Sequence, residues 1–141
     1  LGYKFLDGIA IADVAFEARG RSLEELFKSC GEAIAKVMVK DPSNIEPKIA
    51  KRIKIKAQSA EYLLFDFMNK IVFYKDAQRL LFGKFDMHIA QNDGWNLECT
   101  AYGDHISRKY ALDTDVKGVS MHMFELKKEQ GTWIATVVLD V

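Results

Sequence analysis

The stretch that most constrains this chain is its last one, Trp133–Val141 (WIATVVLDV), an apolar run that ends on an acid. It reads as a strand that stops at the C-terminus. A terminal strand pinned in the middle of a sheet fixes the Asp140 carboxylate and the α-carboxylate of Val141 at one point on the surface. A hard cation or a basic partner can be held at such a point. Another acid lies near the opposite end of the sequence, in Ile11-Ala12-Asp13-Val14, where small and apolar neighbours leave Asp13 the only ionisable group. The expectation is that Asp13 and Asp140 meet.

The length of 141 residues suits one domain, spanning residues 1–141, with a core that needs no disulfide or zinc. Lys and Arg total 20 and Asp and Glu total 20, so no global basic field recruits nucleic acid by charge alone. Any role on RNA is therefore local or delegated to a partner. Cys30 and Cys99 share no CxxC spacing and read as buried free thiols of a reducing compartment. No apolar run reaches the roughly 18 residues of a membrane span, and the N-terminus lacks the pattern of a signal peptide. The expected location is cytoplasmic.

Tyr3–Leu6 reads as a short strand, Asp7-Gly8 as a turn, and residues 12–18 as a second strand with Asp13 at its start. The first helix carries the clearest local signal. Ser22-x-x-Glu25 is a capping box, and Leu23, Leu26, Phe27, Cys30, Ile34, Val37 and Met38 recur at helical spacing, a packing stripe running to about Val39. Asp41-Pro42-Ser43-Asn44 closes it.

Lys51–Ala57 alternates charged and apolar groups, as a strand with one solvated face does. Its Arg52, Lys54 and Lys56 suit either RNA phosphates or an edge strand protected against aggregation. A second helix is expected over residues 59–74, with Leu63, Leu64, Phe67, Met68, Ile71 and Val72 inward. The remainder of the chain is β-rich: Leu80–Phe82, then Lys84–Ile89 with Phe85, Met87 and Ile89 on one face, and a hairpin turn at Asn92-Asp93-Gly94. The returning strand puts Trp95, Leu97, Cys99 and Ala101 on one face. A polar connection over residues 105–115, a strand over Val116–Leu126, a turn at Gln130-Gly131 and the terminal strand complete the chain. This order predicts an α+β two-layer sandwich, a largely antiparallel sheet with two main helices on one face. There is no GxGxxG and no GxxxxGK[ST] phosphate loop, so a doubly wound nucleotide fold is excluded.

In the final hairpin the turn lies near residues 127–131, which brings Lys117 close to Val141, where it can neutralise part of the acidic cluster. Asp115 and Lys117 read equally as ordinary surface charges. His88, His105 and His122 lack zinc spacing, and His122, in a strand rich in Met and Phe, reads as a hydrogen-bonded core or rim side chain before a ligand. No Ser or Cys has a nucleophile context.

The order and wording of several segments resemble the archease family. They are Tyr3–Asp7, Ala12-Asp13-Val14, Gly20-x-Ser22-Leu23-Glu24-Glu25-Leu26-Phe27 and Val37-Met38, then Leu63–Asn69, Phe82-x-Lys84-Phe85, Ala101-Tyr102-Gly103, Asp115–His122 and Val138–Val141. The likeness runs from end to end. It implies a non-catalytic accessory protein of the RtcB-type RNA ligase, which joins tRNA halves. The accessory protein speeds guanylylation of the ligase by GTP, so that the ligase turns over repeatedly. It also implies a bound divalent cation, calcium, with ligands mapping onto Asp13, Asp140 and Val141, and a functional lysine mapping onto Lys117. A monomer contacting tRNA and GTP only through the ligase is expected. One departure stands out: the His that the family carries shortly before the Asp is replaced by the loop Gly8-Ile9-Ala10-Ile11. Alternatives from other classes are a stand-alone metal-binding protein or metal-dependent enzyme, and an RNA-binding or chaperone-like module using Arg52, Lys54 and Lys56.

Overall fold

Two serine-capped helices and seven strands share one hydrophobic core in the computed structural model, which describes residues 1–7 and 13–141. The strands are β1 (Gly2–Leu6), β2 (Asp13–Gly20), β3 (Ile49–Ala57), β4 (Leu80–Gln91), β5 (Trp95–His105), β6 (Gly118–Glu129) and β7 (Thr132–Asp140). Helix α1 spans Leu23–Met38 and α2 spans Ala60–Gln78. The turn expected at Asp7-Gly8, the first residue of the expected second strand and the loop lacking a histidine fall wholly or partly outside the described residues.

All pairing is antiparallel, in two ladders ordered β1-β2-β7-β6 and β3-β5-β4. The terminal strand β7 is thus an interior strand, flanked by β2 and β6. Both helices pack on strands of both ladders, which is why a single core forms. Strand β3 is an edge strand. Its exposed Lys54 and Lys56 lie 3.6 Å from Glu98 and Asp93, respectively. This arrangement suits the protective reading of its basic row.

Helix α1 starts where the capping box places it, with the Glu25 N–H donating to Ser22 Oγ at 3.1 Å. Ser59 does the same for α2, accepting from the Tyr62 N–H at 3.2 Å. Replacing Ser22 by alanine leaves the Glu25 N–H without its partner. The expected cost is about 1 kcal/mol, measurable as a lower urea midpoint at unchanged m-value.

Helix α1 lies close to β4. A Cβ on Gly31 would sit 2.5 Å from the Phe85 ring, so only glycine permits this approach. Strand β4 carries an irregularity at Gly83, between Phe82, paired with Gly103, and Lys84, paired with Tyr102. The extra residue resets the alternation so that Phe82 and Phe85 both enter the core. The hairpin turn follows from positive φ at Asp93 (51°) and Gly94 (100°).

Both cysteines are free and buried. Burial pushes the Cys30 thiol far up, and burial with the nearby charge of Asp86 pushes Cys99 to about 12. Native protein at about pH 8 is therefore expected to resist iodoacetamide, with both thiols reacting only after unfolding. Mass spectrometry reads the outcome, and rapid native labelling would contradict the packing of α1 and β5.

Candidate functional site: a carboxylate pair on the outer face

The side chains of β7 alternate between the two faces of its ladder. Ala135, Val137 and Leu139 enter the core, and Asp140 is exposed on the other face. In β2, Phe16 and Ala18 enter the core while Asp13, Ala15, Glu17 and Arg19 take the outer parity. The two strands run antiparallel in a register that makes Asp13 the direct cross-strand partner of Asp140. Directly opposed residues in such a ladder have Cα atoms about 4.5–5.5 Å apart and side chains on one face. The expected meeting of the two acids is what the ladder produces.

Gly118 of β6 occupies the third position of this row, opposite Asp140 on its other side. It contributes no side chain. A Cβ there would lie 3.8 Å from Asp140 Oδ2, so the glycine leaves room beside the carboxylate. Further along the same face, Glu17 is neutralised by Lys4 at 3.7 Å and Arg19 at 3.1 Å. Among the described residues, Asp13 and Asp140 have no such cationic partner. Two facing carboxylates without a counter-charge repel, costing about 0.2–1 kcal/mol in a sheet, and attract a cation.

Lys117 immediately precedes β6, and its N–H donates to the Asp140 carbonyl at 2.8 Å. Two consecutive residues, Lys117 and Gly118, therefore address Asp140, as in a β-bulge, a device that re-aims side chains. The structure thus brings the Lys117 backbone to the site. Its ammonium is exposed and makes no ion pair among the described residues. Val141 comes directly after Asp140, and its side chain packs on the core.

The two weaker candidates are placed elsewhere. His122 is exposed, so of the core and rim placements expected from its apolar neighbours the core one does not hold. The reason is a wide irregularity between Ser120 and Glu125 that breaks strand alternation. There the His122 N–H donates to Ser120 Oγ at 3.0 Å, and Phe124 instead meets Phe65. Asp115 is held by Lys75 Nζ at 2.5 Å and is not one of the facing acids of the β2–β7 ladder.

Lys75 is a structural surprise. It carries a sequence signal nonetheless, because it extends the buried stripe Met68, Ile71, Val72 of α2 at helical spacing. A lysine in such a stripe needs buried oxygen partners.

A divalent cation is a hard acid that takes oxygen ligands. Two carboxylates in cross-strand register, main-chain oxygens at the end of β7 and the open position at Gly118 fit that requirement. Among the described residues no group of three or more His, Cys, Asp and Glu side chains converges, so a cation here relies on the acid pair and main-chain oxygen.

The architecture is that of an α+β domain whose two distant segments join in an acidic spot, with no phosphate loop and no nucleophile constellation among the described residues. The sequence profile of the archease protein family (MTH1598/TM1083) matches residues 3–141, and the chain belongs to this family. The archease of Methanothermobacter thermautotrophicus is 35% identical over 141 residues, covering 99% of both chains. That of Sulfolobus acidocaldarius is 35% identical over 140 residues, covering 99% of this chain and 98% of the relative. Among solved structures, the solution structure of Methanobacterium thermoautotrophicum protein 1598 matches with a TM-score of 0.87 and 35% identity over 99% of each chain. The crystal structure of a Thermotoga maritima archease, described as a possible chaperone, shares the fold at a TM-score of 0.64 and 18% identity, over 94% and 93% of the two chains. No helix among the described residues is long and apolar enough to cross a membrane.

Proposed function

We propose that this chain is a non-catalytic cytoplasmic accessory protein of an RtcB-type RNA ligase, promoting ligase guanylylation and repeated turnover in tRNA joining. One observation carries the reading: Asp13 and Asp140 face each other across β2 and β7, and neither makes an ion pair among the described residues. Family membership supplies the context, and the absence of a recognisable nucleophile argues for assistance over catalysis.

The acid pair, with a main-chain oxygen of Val141, would hold a divalent cation, calcium being the ion the family likeness implies. Such an ion supplies charge neutralisation next to phosphate oxygens. The chain's own residues do the rest. β2 and β7 orient the carboxylates, and the backbone bond from Lys117 to Asp140 ties the start of β6 to them. Exposed Lys117 is then available to phosphates or acidic groups of the ligase site. Phosphoryl transfer is governed chiefly by positioning and neutralisation, so a rigid presented patch is a sufficient contribution.

The test is a guanylylation time course of the ligase from the same source, with and without this protein. Faster guanylylation and multiple turnover are expected. No change in either rejects the accessory role. Turnover of GTP or RNA by the protein alone favours the enzyme reading.

A further inference from the structure

Residues 106–117 link β5 to β6 with only one isolated bridge of regular pairing, Val39 to Leu112. They are nonetheless anchored residue by residue. The Lys40 N–H donates to Ala111 O at 2.9 Å, Asp113 N–H to Met38 O at 2.8 Å and Thr114 N–H to Val37 O at 3.0 Å, all at the end of α1.

From Asp115 onward the anchoring passes to α2. Lys75 Nζ donates to Asp115 Oδ1 at 2.5 Å and to Val116 O at 2.6 Å, and pairs with Asp76 Oδ1 at 2.7 Å. Its three protons thus have three oxygens. The Lys75 side chain is 6% exposed, while those of Asp76 and Asp115 are 59% and 66% exposed. Burial opposes its charge, but hydrogen bonds with Asp115 and Asp76 more than offset this and raise its pKa above the ordinary lysine value. The two carboxylates thus favour the charged form of this buried lysine.

Its decisive contact is the main-chain one. The carbonyl of Val116 and the N–H of Lys117 belong to one planar peptide unit. Lys75 holds the carbonyl end, and the Asp140 carbonyl accepts from the N–H end at 2.8 Å. A single rigid group therefore spans from α2 to the strand that carries Asp140. Val116, wholly buried, prevents it from swinging out.

We propose that Lys75 is a positioning residue of the carboxylate site, holding Lys117 and the end of β7 through the Val116–Lys117 peptide in the geometry that receives a divalent cation. The proposal rests on the cation reading of Asp13 and Asp140 given above. It makes a prediction whose sign separates it from simpler roles. Removing an ammonium near a cation site strengthens cation binding if only charge matters. A purely stabilising bond, once lost, lowers the melting temperature and leaves the affinity of the folded protein unchanged. A lost positioning contact weakens affinity.

The experiment compares wild type with Lys75→Met and Asp115→Asn. The second is an exposed, mild change that keeps the ammonium and the bond to Val116 O. Calcium titration calorimetry is run well below each melting temperature, and hydrogen exchange of the Lys117 amide is followed by NMR without calcium. Lys75→Met is expected to weaken calcium binding by about tenfold and to speed Lys117 exchange by a similar factor, with β3 and β5 amides unaffected. Asp115→Asn removes one of the three partners that fix the ammonium and is expected to speed Lys117 exchange by less. This exchange, which a bare charge effect does not move, carries the test if Lys75→Met does not fold, and unchanged exchange then overturns the proposal. Equal or tighter calcium binding with unchanged Lys117 exchange overturns the proposal. Wild-type protein that binds no calcium refutes the cation reading and the role in binding with it, whereas faster Lys117 exchange in the variants still establishes the clamp.

Discussion

Asp13→Asn and Asp140→Asn are each expected to weaken calcium binding on the order of a hundredfold and to abolish stimulation of ligase guanylylation, while the protein stays folded. The affinity loss comes from halving the negative charge of a two-carboxylate site. An opposite effect on stability accompanies it. The two acids are direct ladder partners, and Glu17 engages Lys4 and Arg19 on the same face. Neutralising either acid removes a cross-strand repulsion of about 0.2–1 kcal/mol, so the calcium-free variants should melt about 1–3 °C higher than wild type. Calcium at about 100 times its Kd should stabilise wild type by about 2.7 kcal/mol and the variants far less. Thermal melts with and without calcium, run beside the guanylylation assay, check every part of this. Variants that melt lower and still stimulate the ligase would show that the acids serve the fold and not the function.

The second large effect is expected in the core. Phe67→Ala should cost about 3–5 kcal/mol, a large share of the roughly 5–15 kcal/mol typical of a domain's stability. Phe67 is fully buried, stacks on Phe27 with ring centroids 5.7 Å apart, and meets Phe85 edge-on at 5.6 Å. It links α2 to Phe27 of α1 and to Phe85 of β4. Urea unfolding gives the number directly. A loss below about 1 kcal/mol would mean that the aromatic cluster is looser than its geometry implies.

Local chemistry made much of this fold legible. The Ser22 cap, the apolar stripe of α1, and the alternation of Phe85, Met87 and Ile89 against Leu97, Cys99 and Ala101 each come from one periodicity, and the structure reproduces them. The meeting of Asp13 with Asp140 was readable because each acid ends an apolar run, and a one-residue slip would turn those runs to the wrong face.

Other features depend on contacts that no local pattern encodes. Helix α2 continues past Tyr74 to Gln78 because Lys75, polar by type, finds Asp115 and Val116 O from a distant connection. Arg79, which joins α2 to β4, takes a left-handed φ of 53°, a position where sequence patterns favour glycine. Strand β6 begins at Gly118 instead of Val116, since Val116 is committed to burial and to the Lys75 bond. His122 lies at the surface and outside the core for a similar reason: strand alternation does not carry through an irregularity that the residue types do not announce.

The interior position of β7 has a consequence for how the molecule is made. Its neighbours β2 and β6 are separated by most of the chain, and β7 must enter between them. During vectorial synthesis β2 leaves the ribosome with only β1 beside it and β6 with no ladder partner, and such long-range pairing is slow to form. The acid pair does not exist until β7 docks, so a nascent or half-folded copy lacks the carboxylate site altogether.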